Sequence, residues 1–193
     1  MRETNFLSWF IEKEEKLSAE QKKIGGSDGT AVVGIVMGSD SDMSVMQSAA
    51  DVLKDFGVAF EITVASAHRS PQRAAQWASS AAERGIKVII AGAGHAAHLA
   101  GAMAAHSRLP IIGVPIDSSC LLGMDALLST VQMPPGMPVA TMAIGKAGAR
   151  NAGILAVQIL ALADSVLAKK LEVYKQDMAA KVEQKAKKLE DSF

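Results

Sequence analysis

The chain has 193 residues, 49% of them hydrophobic, with 20 lysines and arginines against 20 aspartates and glutamates; this length suits one domain, with or without a small appendage, burying a substantial core. A formal net charge of zero argues against general attraction to nucleic acid or an anionic membrane surface, so a small molecule or another protein is the expected partner. A single cysteine, Cys120, excludes an intrachain disulfide and a cysteine-based zinc site and suits a reducing compartment, the cytoplasm.

The first segment, "MRETNFLSWFIEKEEKLSAEQKK", carries charges where a secretory leader needs an unbroken apolar stretch. No later run approaches the roughly 20 apolar residues that span a membrane, so a soluble chain is expected. Phe6, Leu7, Phe10, Ile11 and Leu17 fall roughly on one stripe among Glu and Lys, which predicts an amphipathic helix as an N-terminal extension over residues 1–24. The glycine-rich "GGSDGT" at 25–30 predicts a hinge before the main domain.

Five short apolar runs follow: "AVVGIVM" (31–37), "EITVAS" (61–66), "KVIIAG" (87–92), "PIIGVP" (110–115) and "VATMAI" (139–144). Helical patterns separate them, and two, "DMSVMQSAADVLKDFG" and "PQRAAQWASSAAERG", close on glycine, the usual residue after a helix. Strands apolar on both faces that alternate with helices predict a three-layer, doubly wound parallel α/β fold, with ligands outside the carboxyl ends of the strands. The α/β domain is expected over 31–165. A helical run from about 148 to 190 outlasts the sheet, and its charged part, 166–193, reads as a C-terminal tail.

Chemistry is therefore sought where strands end. After the first strand, "MGSDSD" (37–42) places Ser39, Ser41 and Asp42 where they can cap the next helix or hold a hydroxylated ligand, and both readings stay open. The stretch has no Walker loop. "SAHRS" (66–70) sets Ser66, His68 and Arg69 at the second strand end: a polar group, a proton carrier and a cation suited to phosphate or carboxylate. "AGAGHAAHLAG" (91–101) ends the third strand with two histidines in a bare glycine and alanine run. A metal would need a third ligand, yet no Asp or Glu lies between Glu83 and Asp117, so no metal is expected. Glycine and alanine instead let backbone N–H groups approach a carboxylate or CO2 closely. His106 reads as a surface or packing residue. Cys120 reads as a small buried filler, and the methionines as core filling. The turn-rich "QMPPGMP" (132–138) either covers a ligand or joins a helix to the fifth strand.

Taken in order and spacing, "VVGIVMGSDSD", "SAHRSP", "VIIAGAGHAAHLAG", "PIIGVPI", "VQMPPGMPVATMAIG" and "ARNAGILAVQIL" resemble the N5-carboxyaminoimidazole ribonucleotide mutase family of purine biosynthesis over roughly residues 31–165. The resemblance implies a flavodoxin-like fold, no cofactor, no metal, a ribonucleotide substrate and a homo-octamer. It implies that His68 is the general acid and base. Ser39, Ser41 and Asp42 would hold substrate, and Ser66 and Arg69 its phosphate or ribose end. Gly92, Ala93, Gly94, His98 and Leu99 would line a carboxylate or CO2 pocket, with the "QMPPGMP" loop close by. The "SAHR" form resembles the mutase class more than the related CO2-using carboxylase class, which usually has lysine after that histidine.

Two positions depart from the family pattern "AGAGGAAHLPG": His95 stands for a glycine and Ala100 for a proline. If the first position has φ > 0, histidine meets a steric penalty that glycine escapes, and losing proline is expected to loosen the loop. These changes keep a non-catalytic nucleotide-binding homologue beside the mutase and carboxylase readings. One Tyr and two Trp leave few aromatics to sandwich a flavin, which argues against an FMN carrier.

Overall fold

The computed structural model describes residues 30–193, so the expected N-terminal helix and all but the last residue of the hinge lie outside the described residues. Two compact units divide the chain, one reaching Ala156 and one covering Val157–Phe193.

In the first unit, strands β1 (Val33–Met37), β2 (Phe60–Val64), β3 (Val88–Gly94), β4 (Ile111–Ile116) and β5 (Ala140–Thr141) form one sheet in the order β2-β1-β3-β4-β5. Every neighbouring pair is parallel, with Val33 opposite both Phe60 and Val88 and Ile89 opposite Ile111. Helices α1 (Met43–Phe56), α2 (Pro71–Ser79), α3 (Leu99–His106), α4 (Met124–Val131) and α5 (Gly145–Ala161) connect or follow the strands. Right-handed crossovers place helices on opposite faces when the chain reverses direction along the sheet, as it does between β1 and β3. On one face Val36, Ile89, Ala91 and Ile111 pack with Ala74 and Ala78 of α2 and with Leu99 and Met103 of α3. On the other, α1 lies against β3 so closely that a Cβ on Gly92 would run into Met46, and α5 crosses α1 with Gly153 against Ala49 and Val52.

This double cover is why β1 and β4 are buried along their whole length. Each large aliphatic side chain so enclosed contributes about 1.5–3 kcal/mol relative to exposure. The edge strand β2 differs: Ile62 and Val64 are about two-fifths exposed. It pairs only to Val64, short of the expected Ser66, and Arg73 of α2 donates to the Val64 carbonyl (2.9 Å) and the Thr63 hydroxyl (2.9 Å) at its end. β5 has two residues where six were expected, because only Ile112 and Gly113 of β4 pair with it.

Helix α1 closes as its sequence suggests, with Gly57 at φ 72° donating to Leu53 and Lys54 carbonyls. Helix α2 stops at Ser79, before the expected Gly85. The intervening turns are tied outward by Arg84, which bonds Glu61 at 2.7 Å and lies 5.2 Å from the Trp77 ring. Ala100 is buried in the first turn of α3 rather than in a loop, since the helix already begins at Leu99.

The expected continuous helix over 148–190 is two helices, α5 and α6 (Ser165–Glu190). In the second unit Asp164 starts α6, its carboxylate accepting from the Val166 (2.9 Å) and Leu167 (3.1 Å) amides, which is the N-cap arrangement that lets a new helix begin. Among the described residues no helix is long and apolar enough to cross a membrane.

Candidate active site

The loops after β1, β2, β3 and β4 meet at the carboxyl edge of the sheet and line an open cavity of about 580 Å³. It lies where the connections out of β1 and β3 diverge, the place where a doubly wound sheet offers a crevice. Its size is in the range of small-molecule sites.

Asp40–Asp42 forms a short 3-10 turn in front of α1. The Ser39 amide donates to Asp42 Oδ2 (3.0 Å), the Ser41 amide reaches Ser39 Oγ (3.4 Å), and Ser41 Oγ donates to Ser39 Oγ (2.9 Å). The capping reading of this stretch is thus realised, and Ser39, Ser41 and Asp42 also line the cavity. Asp42 is 6% exposed. Burial pushes its carboxyl above the ordinary range, opposed by the Ser39 amide and by His95 and Arg69, with Asp40 adding to the rise.

In the β2 loop, Ser66 Oγ accepts from the Arg69 amide (3.1 Å), and Arg69 Nη2 donates to the Gly38 carbonyl (3.2 Å). This second bond ties the β2 loop to the β1 loop and holds a cation at the rim. His68 Nε2 lies 2.8 Å from His98 Nδ1, with the rings edge to face at 86°. One hydrogen is shared across that contact, so each imidazole constrains the other's tautomer.

The loop after β3 brings Ala93, Gly94, His95, Ala96, His98 and Leu99 to the cavity. Gly92 does not line it: the residue is buried, and its bareness answers to Met46 of α1 rather than to a ligand. Gly94 likewise has no room for a side chain, because the Ser118 hydroxyl fills that space. His95 has φ 55°, the left-handed region where histidine is uncommon though less so than bulkier residues. Its Nδ1 lies 3.2 Å from Ser118 Oγ.

Every other residue proposed from sequence, Ser39, Ser41, Asp42, Ser66, His68, Arg69, Ala93, Gly94, His98 and Leu99, lines the one cavity. Sequence reasoning missed Ser118 and the pairing of His68 with His98. Ser118 was within reach, as a hydroxyl just past the fourth strand at the same sheet edge; the pairing depends on two loops 30 residues apart. Cys120 is exposed rather than a buried filler, since it rides the turn beyond β4, and it does not line the cavity. His106 ends α3 and is exposed. In this chain residues 132–138 join α4 to β5 without lining the cavity. No trio of His, Cys, Asp or Glu side chains is grouped to hold a metal ion among the described residues.

Fold and site together define a flavodoxin-like α/β protein with an imidazole pair in a switch-point pocket. A family model described as AIR carboxylase matches residues 32–181, and the chain belongs to that family. It is 57% identical over 160 residues to the N5-carboxyaminoimidazole ribonucleotide mutase of Pyrococcus horikoshii, covering 83% of this chain and 89% of that protein. It is 50% identical over 186 residues to the phosphoribosylaminoimidazole carboxylase of Saccharomyces cerevisiae, covering 96% of this chain and 32% of that longer protein. The crystal structure of Treponema denticola PurE superposes with a TM-score of 0.73 at 29% identity, over 80% of this chain and 95% of that one.

Proposed function

We propose that this chain is an isomerase that converts N5-carboxyaminoimidazole ribonucleotide to 4-carboxy-5-aminoimidazole ribonucleotide in purine biosynthesis, through CO2 held in the cavity. The observation that carries this reading is the His68–His98 contact at 2.8 Å, a proton-handling pair facing the same space as the Arg69 guanidinium and the Ser39 and Ser41 hydroxyls.

His68 gives a proton to the carbamate nitrogen. The bond from that nitrogen to the carboxyl carbon breaks, its electrons staying on nitrogen, which leaves CO2 and 5-aminoimidazole ribonucleotide. The electron-rich C4 then attacks CO2, and the C4 proton returns to His68, so the imidazole ends as it began. Histidine suits both steps because either charge state is accessible near neutral pH. His98 orients the ring through the shared hydrogen. CO2 carries no charge to grip, so the walls formed by Ala93, Gly94 and Ala96 act by confinement, keeping the second step effectively unimolecular. Arg69, Ser66, Ser39, Ser41 and Asp42 bind the phosphate and ribose, and His98 and Leu99 help to close the carboxylate end. The chemistry uses no cofactor.

The protein acts in the cytoplasm as a homo-octamer, with no nucleic-acid or membrane partner. Leu121, Leu122, Met124, Leu128 and Val131, all about half exposed or more, run along the β4 loop and one face of α4 and support a self-contact surface there. Light scattering on the eluting protein tests the subunit count.

The carboxylase name of the yeast relative raises a second reading, direct carboxylation of 5-aminoimidazole ribonucleotide by CO2. Purified protein supplied with N5-carboxyaminoimidazole ribonucleotide in bicarbonate-free buffer, beside a parallel reaction with 5-aminoimidazole ribonucleotide and CO2, separates the two. C4-carboxylated product from the first supports the isomerase; turnover with free CO2 alone replaces it with the carboxylase.

A further inference from the structure

His95 has no part in the reaction just described, yet its geometry is demanding. Its backbone sits at φ 55° in the loop that follows the central strand β3, where a residue with a Cβ is strained unless its surroundings hold it. A side chain kept in such a place by tertiary contacts invites a functional explanation. The contact that holds it is Ser118, 3.2 Å from Nδ1, and Gly94 makes room for that serine by having no side chain of its own. Gly94 and Ser118, from two strand ends, thus position one imidazole.

The ring is exposed to the cavity it lines. Ser118 engages Nδ1 and is its hydrogen-bond partner among the described residues, which leaves Nε2 for a ligand. When the serine hydroxyl donates to Nδ1, a neutral imidazole carries its hydrogen on Nε2; the protonated ring carries one there as well. In these two states the free nitrogen is a donor, matched to an oxyanion; an oxyanion ligand selects them over the tautomer in which Nδ1–H donates to the serine and Nε2 accepts. The charged groups that act on the same corner are Asp42, which His95 stabilises in its ionised form, and Arg69. A ligand carboxylate here would meet Nε2 of His95 together with the backbone of the bare loop.

Resting on the mutase reading above, we propose that His95 is a specificity-determining residue that donates to the substrate carboxylate, so that the pocket distinguishes carboxylated from decarboxylated ribonucleotide. Calorimetric titration of the full chain with 4-carboxy-5-aminoimidazole ribonucleotide and, separately, with 5-aminoimidazole ribonucleotide tests it. His95→Gly, which relieves the backbone, should weaken the carboxylated ligand about five- to twentyfold and leave the other within about twofold. His95→Asn, which tolerates the left-handed backbone and retains an amide donor, should recover part of the loss. Ser118→Ala should weaken the same ligand and add little to His95→Gly in the double variant, because both act through one ring. Thermal melting of each variant verifies folding. An unchanged ratio of the two affinities in His95→Gly, or tighter binding of the carboxylated ligand, overturns the inference while leaving the mutase reading intact, since His95 then only obstructs the pocket. If the unmodified protein binds neither ribonucleotide, the functional reading fails and this inference fails with it.

Discussion

The two loops that face each other across the cavity are built on opposite plans. The β1 loop is held from within: Ser39, Ser41, Asp40 and Asp42 bond one another over four residues. The β3 loop is held from outside. The Ala97 amide donates to Ser129 Oγ of α4 (2.9 Å), His98 meets His68 of the β2 loop, and His95 meets Ser118 of the β4 loop. A loop of the first kind takes shape as soon as its helix starts, whereas the second exists only when four separate segments are in place. Changes far away in sequence should therefore act more on the β3 loop than on the β1 loop, whose outside tie is the bond from Arg69 to the Gly38 carbonyl (3.2 Å).

The largest expected effect comes from cutting the tie to which the proposed function assigns the chemistry. His68→Asn should lower turnover by about 10²- to 10⁴-fold, the usual contribution of a positioned acid–base group, with little change in melting temperature because His68 is exposed. Steady-state rates beside a thermal melt measure both. A rate within tenfold of the parent would mean that the proton path runs elsewhere.

Next comes Gly94→Ala. The added Cβ meets the Ser118 hydroxyl, which can rotate away only by leaving His95, and it also lies 3.1 Å from Ser118 Cβ and 3.2 Å from the Ile116 carbonyl, which cannot rotate. Overpacking of this kind costs about 1–3 kcal/mol, seen as a lower denaturation midpoint. If Ser118→Ala restores much of that loss, the hydroxyl is the obstacle; if it does not, the backbone is.

A smaller pair sharpens the contrast between the plans. Ser129→Ala removes the acceptor of the Ala97 amide and should cost about 1 kcal/mol. Ser39→Ala removes an acceptor of the Ser41 amide, but Asp40 Oδ1 still accepts from it at 3.0 Å and the site is exposed, so less should be lost. Urea unfolding of the two variants side by side gives the ranking, and a reversed order would contradict the idea that the β1 loop is self-sufficient.

The same contrast explains what was legible in the sequence. Hydrophobic runs bounded by helical patterns carry the layers because burial on both faces leaves a direct mark on composition, and the serines and aspartates after β1 can be read because capping is local. The β2 pairing was overestimated, since "EITVAS" looks apolar enough to continue while an edge strand lacks a second neighbour to extend it. The break of the C-terminal helix at Asp164 is not legible because "ALADSVLA" has no glycine or proline, and an aspartate in a helical pattern reads the same whether it caps or is solvated. In the β3 loop the bare composition suggested a ligand cradle, yet the bareness of Gly92 and Gly94 answers to Met46 and Ser118. Those are distant partners, and a single chain's spacing does not encode them. The strain at His95 depends on its φ of 55°, which composition and spacing do not fix.

The smallest effect concerns Asp42, where the self-contained loop meets the cavity. Burial raises its carboxyl above 3.8, the value it has in an unfolded chain, so the folded protein holds the proton more tightly than the unfolded chain does. Stability from this group is then greatest below that value, declines as pH rises through the interval up to the raised folded value, and stays at the lower level toward neutrality. Asp42→Asn removes the ionisation while keeping an oxygen to accept the Ser39 amide. The variant should therefore match or exceed the parent's melting temperature at neutral pH, with the difference shrinking as pH falls through the acid range, and, if Asp42 holds the ribose as proposed, bind ribonucleotide more weakly because a charged acceptor is lost. Melting curves from about pH 3 to 7 read the first and titration calorimetry the second. A variant that is less stable at neutral pH, with a deficit that grows as pH rises, would mean that the bond from Ser39 and the attraction to His95 and Arg69 outweigh burial, and that the β1 loop owes its shape to charge as much as to its own hydrogen bonds.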